Sequence, residues 1–297
     1  MTLRDFLLLA GMCLIWASNN IVSKIVVSDM DVPPLFYAAV RFALVAVMTL
    51  PWLLPAPRPI WRMIVIAQLI GGLNFALLFV GFQTATPSAA SIIVQLGVPM
   101  TTVLSMVMLG EKVRWRRGLG MALTLAGAVI VMWHPVGVTM SIGLWLIAAA
   151  ALAGSLGAVM MKQMEGVKPM QFQAWVGFCS VWPLAAMSAF TETGQMAAAT
   201  GAGWNFVLAV VYSALIVSVI AHTVYYHLIQ KYEATLISPL TLMTPLATIV
   251  MGVLITKDHF DLRMGIGAAL ALAGVLIIAL RPNHVAPLLL LFRNRFQ

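Results

Sequence analysis

Residues 116–132 read RRGLGMALTLAGAVIVM, and residues 263–279, 147 positions later, read RMGIGAALALAGVLIIA. Gly118, Gly120 and Gly127 of the first stretch fall on Gly265, Gly267 and Gly274 of the second. Gln83 falls on Gln230 at the same offset and Pro99 on Pro245 at 146, so one residue slips between the copies. The chain therefore reads as one unit written twice, over residues 1–134 and 135–281, followed by a cytoplasmic tail at 282–297.

Composition places that unit in a bilayer. Of 297 residues 62% are apolar and only 9% charged, at a mean hydropathy of +1.00. A soluble domain carries about 25% charged residues. Soluble enzymes, nucleic-acid binders and disordered chains are excluded. Cys13 and Cys179 both lie inside apolar runs, so no disulfide framework is indicated. The first apolar run continues past Ile15 without a small-x-small cleavage site, and is read as a retained span rather than a signal peptide.

A helix needs roughly 20 apolar residues to cross the hydrocarbon core. Runs bounded by charge, proline or glycine clusters give ten: 6–26, 34–54, 60–82, 87–109, 114–133, 142–164, 170–190, 204–230, 234–256 and 262–280. Five spans per copy is an odd number, so the second copy enters the bilayer upside down. The expected fold is an all-α integral membrane protein of ten transmembrane helices in two inverted five-helix repeats. Inverted repeats with a midplane site between them are a transporter design.

Loop charges orient the chain. With the N-terminus in the cytoplasm, thirteen of the 17 Lys and Arg residues lie inside. Lys24, Lys257 and Arg263 lie outside, and Arg41 lies within a span. Both termini are then cytoplasmic in a plasma (bacterial inner) membrane. The tail after Pro282 is too short to span and is given no function.

At this point a family resemblance appears. Residues 84–131, TATPSAASIIVQLGVPMTTVLSMVMLGEKVRWRRGLGMALTLAGAVIV, resemble the end of an EamA-type repeat of the drug/metabolite transporter superfamily. The shared features are a small-residue start to the fourth helix, a mid-helix proline, Leu-Gly-Glu and a Gly-rich fifth helix. LIWASNNIVSK (14–24) and PPLFYAAVRF (33–42) resemble the family's first and second helix starts, with Ala17 where Gly is usual. In the second copy Thr256-Lys257-Asp258 replaces Leu-Gly-Glu, with its acidic residue out of register. The resemblance implies a ten-helix exporter of metabolites or drugs, most like the branch that exports amino acids, aromatic ones in particular.

The path is sought among polar and aromatic residues at mid-depth. All nine acidic residues fall in loops or at span ends, so no mid-span carboxylate is available to exchange protons for substrate. No Gly-x-x-x-x-Gly-Lys-[Ser/Thr] loop offers an ATP phosphate cradle. No cofactor or metal is expected, and facilitated or weakly coupled export is favoured.

Helix one sets Met12, Trp16, Asn19 and Ser23 on one face, with Asn20 beside it. Trp16, Asn19 and Asn20 either line a cavity or bond a neighbouring helix. Helix four carries Ser88, Ser91, Gln95, Pro99 and Thr102; its counterpart carries Ser238, Thr241, Pro245 and Thr248. Gln95 is a wall candidate, and the paired Pro99 and Pro245 mark a hinge or gate. Helix three offers Phe75, Phe79 and Phe82 with Asn74 alongside. Shifted by 147, Phe75 and Phe79 fall on His222 and Tyr226, beside Ser218 and Tyr225. These face one pseudo-symmetric cavity. Trp175 and Trp182 of helix seven either join it or face lipid at the interface.

Arg41 either clamps a substrate carboxylate, or snorkels outward or pairs with a carbonyl, the structural role being favoured. The Gly/Ala faces of helices five and ten are close-packing seams, so those helices buttress the path.

The reading is a secondary exporter of amino acids by alternating access, a monomer with the lipid bilayer and small molecules as partners, and neither nucleic acid nor ATP. A broad drug exporter is the alternative. A membrane-embedded enzyme or receptor fits less well: no mid-span catalytic set is spaced to cooperate, and a receptor has no need of inverted halves.

Overall fold

The computed structural model describes residues 2–110, 115–132, 141–164, 166–232 and 241–279. The tail, the Arg114 and Ala234 ends of two expected spans, and the side chain of Tyr226 lie outside the described residues. The described residues are helical throughout apart from turns and short connections. The helices are α1 (Leu3–Lys24), α2 (Pro34–Thr49), α3 (Ile60–Gly81), α4 (Pro87–Leu109), α5 (Trp115–Met132), α6 (Ile142–Lys162) and α7 (Pro169–Thr191). They continue with α8 (Gln195–Val211, Tyr212–Ala221 and His222–Lys231), α9 (Met243–Thr256) and α10 (Leu262–Ala279). Among the described residues seven helices are long and apolar enough to cross a membrane, and Gly118–Val131, Met243–Thr256 and Leu262–Ile278 are shorter apolar helices.

Local chemistry sets the helix starts. Pro34, Pro87 and Pro169 each occupy a first turn, where a missing N–H costs nothing. Thr2 and Thr86 cap α1 and α4, their hydroxyls accepting from Asp5 N at 3.2 Å and Ala89 N at 3.3 Å. Gly203, at φ 55°, separates the residues after Gln195 from the rod that begins at Trp204, where the eighth span was expected to start.

The repeat is visible in how the helices meet. Helix α5 packs chiefly on α10, and α2 on α7, each helix on its own counterpart. Helix α6 lies against α3 and α4, as α1 lies against α8 and α9. On the α5–α10 seam a Cβ added at Gly120 would lie 2.6 Å from Gly274 O, and one at Gly127 2.5 Å from Gly267 O. The two sequence numbers rise in opposite directions along the contact, so the helices are antiparallel. Only glycine permits so close an approach. This is the close-packing seam that the sequence led us to expect.

Two local features repeat in the backbone of the halves. Gly110 ends α4 at φ 67°, and Lys257, 147 residues later, ends α9 at φ 56°. The same left-handed cap closes both helices, so Lys257 stands where Gly110 does, while Glu111 lies outside the described residues. Equivalent helices α3 and α8 are also both interrupted by wide π turns, at Gln68–Gly72 and Tyr212–Ala221. Such turns offset side-chain spacing by one residue and cluster at functional sites.

Candidate functional site

Helix α4 is broken. Its first part runs Pro87–Val94, its second Gly97–Leu109, and Gln95-Leu96 form a turn between. Pro99 has no N–H to return to Gln95, whose carbonyl instead accepts from Val98 N at 3.1 Å. In α9 the same device recurs: Thr244 N donates to Thr241 O at 3.0 Å, one residue before Pro245. Both prolines are buried. Pro99 thus follows a break inside α4, on which Gln95 stands half-buried, and Pro245 follows the turn Thr241-Leu242 at the start of α9.

Helices α1 and α8 bring Trp16, Asn19, His222 and Tyr225 together. The Trp16 ring lies 5.2 Å from His222 and 5.1 Å from Tyr225. Asn19 Oδ1 accepts from Ser213 Oγ at 2.9 Å, and Ser213 shares a 2.6 Å hydrogen bond with Tyr37 OH. His222 Nδ1 lies 2.8 Å from Val217 O. A carbonyl only accepts, so Nδ1 carries the proton and Nε2 presents its lone pair. In the neutral ring Nδ1–H is thus engaged as a donor to Val217 O, and Nε2 is left to accept. Trp16 Nε1 is buried without a hydrogen-bond partner.

Arg41 neither snorkels nor bonds a carbonyl. It is fully buried on α2, with Nη2 3.0 Å and Nε 3.4 Å from Ser218 Oγ. Its guanidinium carbon lies 4.6 Å from the centroid of Phe75 and 5.8 Å from that of Phe79. Nη1 has no partner. Gln173 Nε2 donates to Ser218 O at 3.1 Å. Asn19, Tyr37 and Arg41 of the first half thereby join Ser213, Ser218 and Gln173 of the second in one buried polar seam.

Other candidates are spent elsewhere. Asn74 Nδ2 donates to Ala150 O at 2.6 Å and fastens α3 to α6. Asn20 Nδ2 reaches Thr248 Oγ1 at 3.3 Å on α9. Trp175 is displaced from the cluster: it donates to Leu53 O at 3.1 Å, at the far end of α2. Phe79 is buried and stacks on Tyr37 at 4.9 Å, a core contact. Trp182 is 65% exposed, the lipid-facing alternative.

Tyr37, Ser213 and Gln173 escaped the sequence reading. Tyr37 and Arg41 are four apart and could have been paired. Ser213 and Ser218 are five apart, a spacing that only a π turn aligns, and Ser218 Oγ indeed reaches Ser213 O at 3.0 Å.

Charges tie the halves at both ends. Glu192, closing α7, accepts from Leu35 N and Phe36 N at 2.8 and 2.9 Å, at the start of α2. Asp258 accepts from Ser88 N at 2.9 Å, at the start of α4. Both carboxylates meet the positive ends of helices from the other half. Lys24 Nζ donates to Phe82 O at 2.7 Å, at the negative end of α3. At the opposite end of the molecule Asp5 accepts from Lys231 Nζ at 2.8 Å and Tyr232 OH at 2.5 Å. The Asp5 carboxylate holds the Lys231 ammonium above its ordinary range, so this pair stays charged at neutral pH.

Broken and π-bulged helices around a polar seam between repeats define a membrane transporter fold. The sequence profile of the EamA-like transporter family matches residues 4–133 and again 140–280, and the chain belongs to that family. It is 23% identical over 287 residues to a "Probable amino-acid metabolite efflux pump" of Escherichia coli (strain K12), covering 93% of this chain and 95% of that one. It is 27% identical over 253 residues to an "Uncharacterized inner membrane transporter YedA" of the same organism, covering 82% and 80%. A solved structure at 20% identity superposes with a TM-score of 0.63 over 93% of this chain and 96% of the other, which speaks for the fold.

Proposed function

We propose that this transporter exports amino acids, aromatic and other neutral ones, and related metabolites across the inner membrane by alternating access, without strict coupling to an ion gradient. Both termini face the cytoplasm on this reading, the second half is inverted relative to the first, and the chain works as a monomer. The observation that carries it is the half-buried cluster of Trp16, His222 and Tyr225, with Asn19 one turn along α1 in the buried polar seam, between helices of the two halves. Export of an amphipathic zwitterion needs such a mixture. An amino acid entering the bilayer loses water from two charges, at several kcal/mol per ion. The Trp16 face returns on the order of 2 kcal/mol to a desolvated ammonium by cation–π attraction. His222 Nε2 adds an acceptor, and the second lone pairs of Gln95 O and Thr241 O, in the turns before Pro99 and Pro245, add others. Alternating access then means releasing the Asp5–Lys231 end and the Glu192–Asp258 end in turn, with the turns before Pro99 and Pro245 as flexing points. The name of the Escherichia coli relative agrees with the substrate class.

Proteoliposomes loaded with radiolabelled phenylalanine should release it with no pH or sodium gradient imposed. Net efflux that depends strictly on either gradient, with no exchange in its absence, overturns the uncoupled mechanism. Absence of any amino-acid flux overturns the substrate class.

A further inference from the structure

The structure assigns Arg41 as the group that binds the carboxylate of the transported molecule, an inference that rests on the export reading above. The guanidinium is fully buried, and among the described residues no carboxylate is bonded to it. Its donors are incompletely used: Nη2 and Nε share one hydroxyl, that of Ser218, while Nη1 has no partner. A buried charge without a counter-ion is among the most costly arrangements a protein interior can hold. It persists where something outside the chain supplies the missing anion.

A second observation points to the same place. Among the described residues few side-chain N–H groups are buried without a partner, and Trp16 Nε1 is one of them. Trp16 packs on His222, one turn beyond the Ser218 that holds Arg41. Two orphan donors therefore flank one turn of α8. Arg41 offers a planar fork suited to two-point binding of a carboxylate, and Phe75 supports its face at 4.6 Å. The other polar groups of the seam are poor candidates for that role. Asn19 Oδ1 only accepts and is engaged by Ser213, its Nδ2 is an uncharged donor that cannot neutralise a carboxylate, and His222 Nδ1–H is turned to Val217 O. The polarity of the site follows. The carboxylate lies toward α2, and the ammonium toward the Trp16 face and His222 Nε2. Molecules without a carboxylate meet an unneutralised cation and are rejected.

The test compares phenylalanine with phenylalaninamide in proteoliposomes, with protein-free vesicles as the baseline for leakage. Wild type should release phenylalanine at least tenfold faster than the amide. Arg41→Met, checked for folding by thermal unfolding in detergent, should lose at least tenfold of phenylalanine efflux and bring the ratio near one. Arg41→Lys, which keeps the charge and loses the fork, should fall between. Equal rates for both compounds in wild type, or a folded Arg41→Met with the ratio unchanged, overturn the assignment and leave the export reading standing. Wild type moving neither compound overturns the export reading and this assignment with it. If Arg41→Met does not fold, Arg41→Lys decides: a ratio lowered from wild type upholds the assignment, and a wild-type ratio overturns it.

Discussion

Thr124 Oγ1 lies 3.5 Å from the carbonyl oxygen of Ala271, and the two residues are 147 apart, one full repeat. Counterparts that touch each other must sit beside the pseudo-symmetry axis relating the halves. The glycines on either side confirm the relation locally: Gly120 meets Gly274 and Gly127 meets Gly267, each pair exchanging the roles of its counterparts. Thr124 also bonds Gly120 O at 2.9 Å, so its hydroxyl is held within its own helix as well. The Thr124 hydroxyl is thus spent on the axis.

That seam should tolerate no side chain. Gly127→Val places atoms beside Ala271 N and Gly267 O, both 2.5 Å from the added Cβ, and these are backbone. We expect a loss of several kcal/mol or failure to insert as folded protein, comparable to overpacking a core. Gly118→Ala, with nothing within 4 Å, should be neutral or stabilising by about 0.5–1 kcal/mol. Thermal unfolding in detergent distinguishes the two.

The left-handed cap at Lys257 invites the opposite change. A non-glycine residue there costs roughly 1–2 kcal/mol, from which glycine's extra unfolded-state freedom subtracts about half. Lys257→Gly should therefore stabilise the protein by about 0.5–1 kcal/mol. The reciprocal Gly110→Lys should destabilise it by a similar amount. A destabilised Lys257→Gly, measured on the same unfolding assay, would show that the lysine's own contacts outweigh its backbone strain.

The two charged ends should behave as alternating latches. Asp258→Asn weakens the charge-assisted bond to Ser88 N, and Glu192→Gln does the same at Leu35 and Phe36. Asp5→Asn weakens the bond to Lys231 at the other end. Cysteine labelling near each latch should increase at the altered end and decrease at the opposite one. Equal labelling at both ends in every variant would deny that the latches govern access.

At the Trp16 cluster and at the α4 break, Trp16→Ala and Gln95→Ala should each lower amino-acid efflux several-fold while folded protein persists in the membrane. Trp182→Ala, which removes a 65% exposed ring, should leave efflux close to wild type. Parent-level transport by both Trp16→Ala and Gln95→Ala, across several amino acids, would place the path elsewhere.

The repeat, the all-helical membrane class and the breaks at Pro99 and Pro245 are legible in the amino-acid order alone. Each is written in local chemistry: hydropathy over a span's length, the missing proline N–H, glycines at a fixed offset. Helical spacing of 3.6 likewise singles out Trp16, Asn19, His222 and Tyr225, by putting them on single faces. Which of these meet is a matter of packing. Trp175 and Asn74 carry the same residue chemistry as the seam, yet their partners are Leu53 O and Ala150 O, across other helix pairs. The link from Arg41 through Ser218 to Ser213 depends on a π turn in α8, which shifts the register by one residue and leaves no periodic mark in the sequence. The charge pairs at the ends were equally hidden, since Asp5 and Lys231 stand 226 residues apart and only the packing of α1 on α8 joins them.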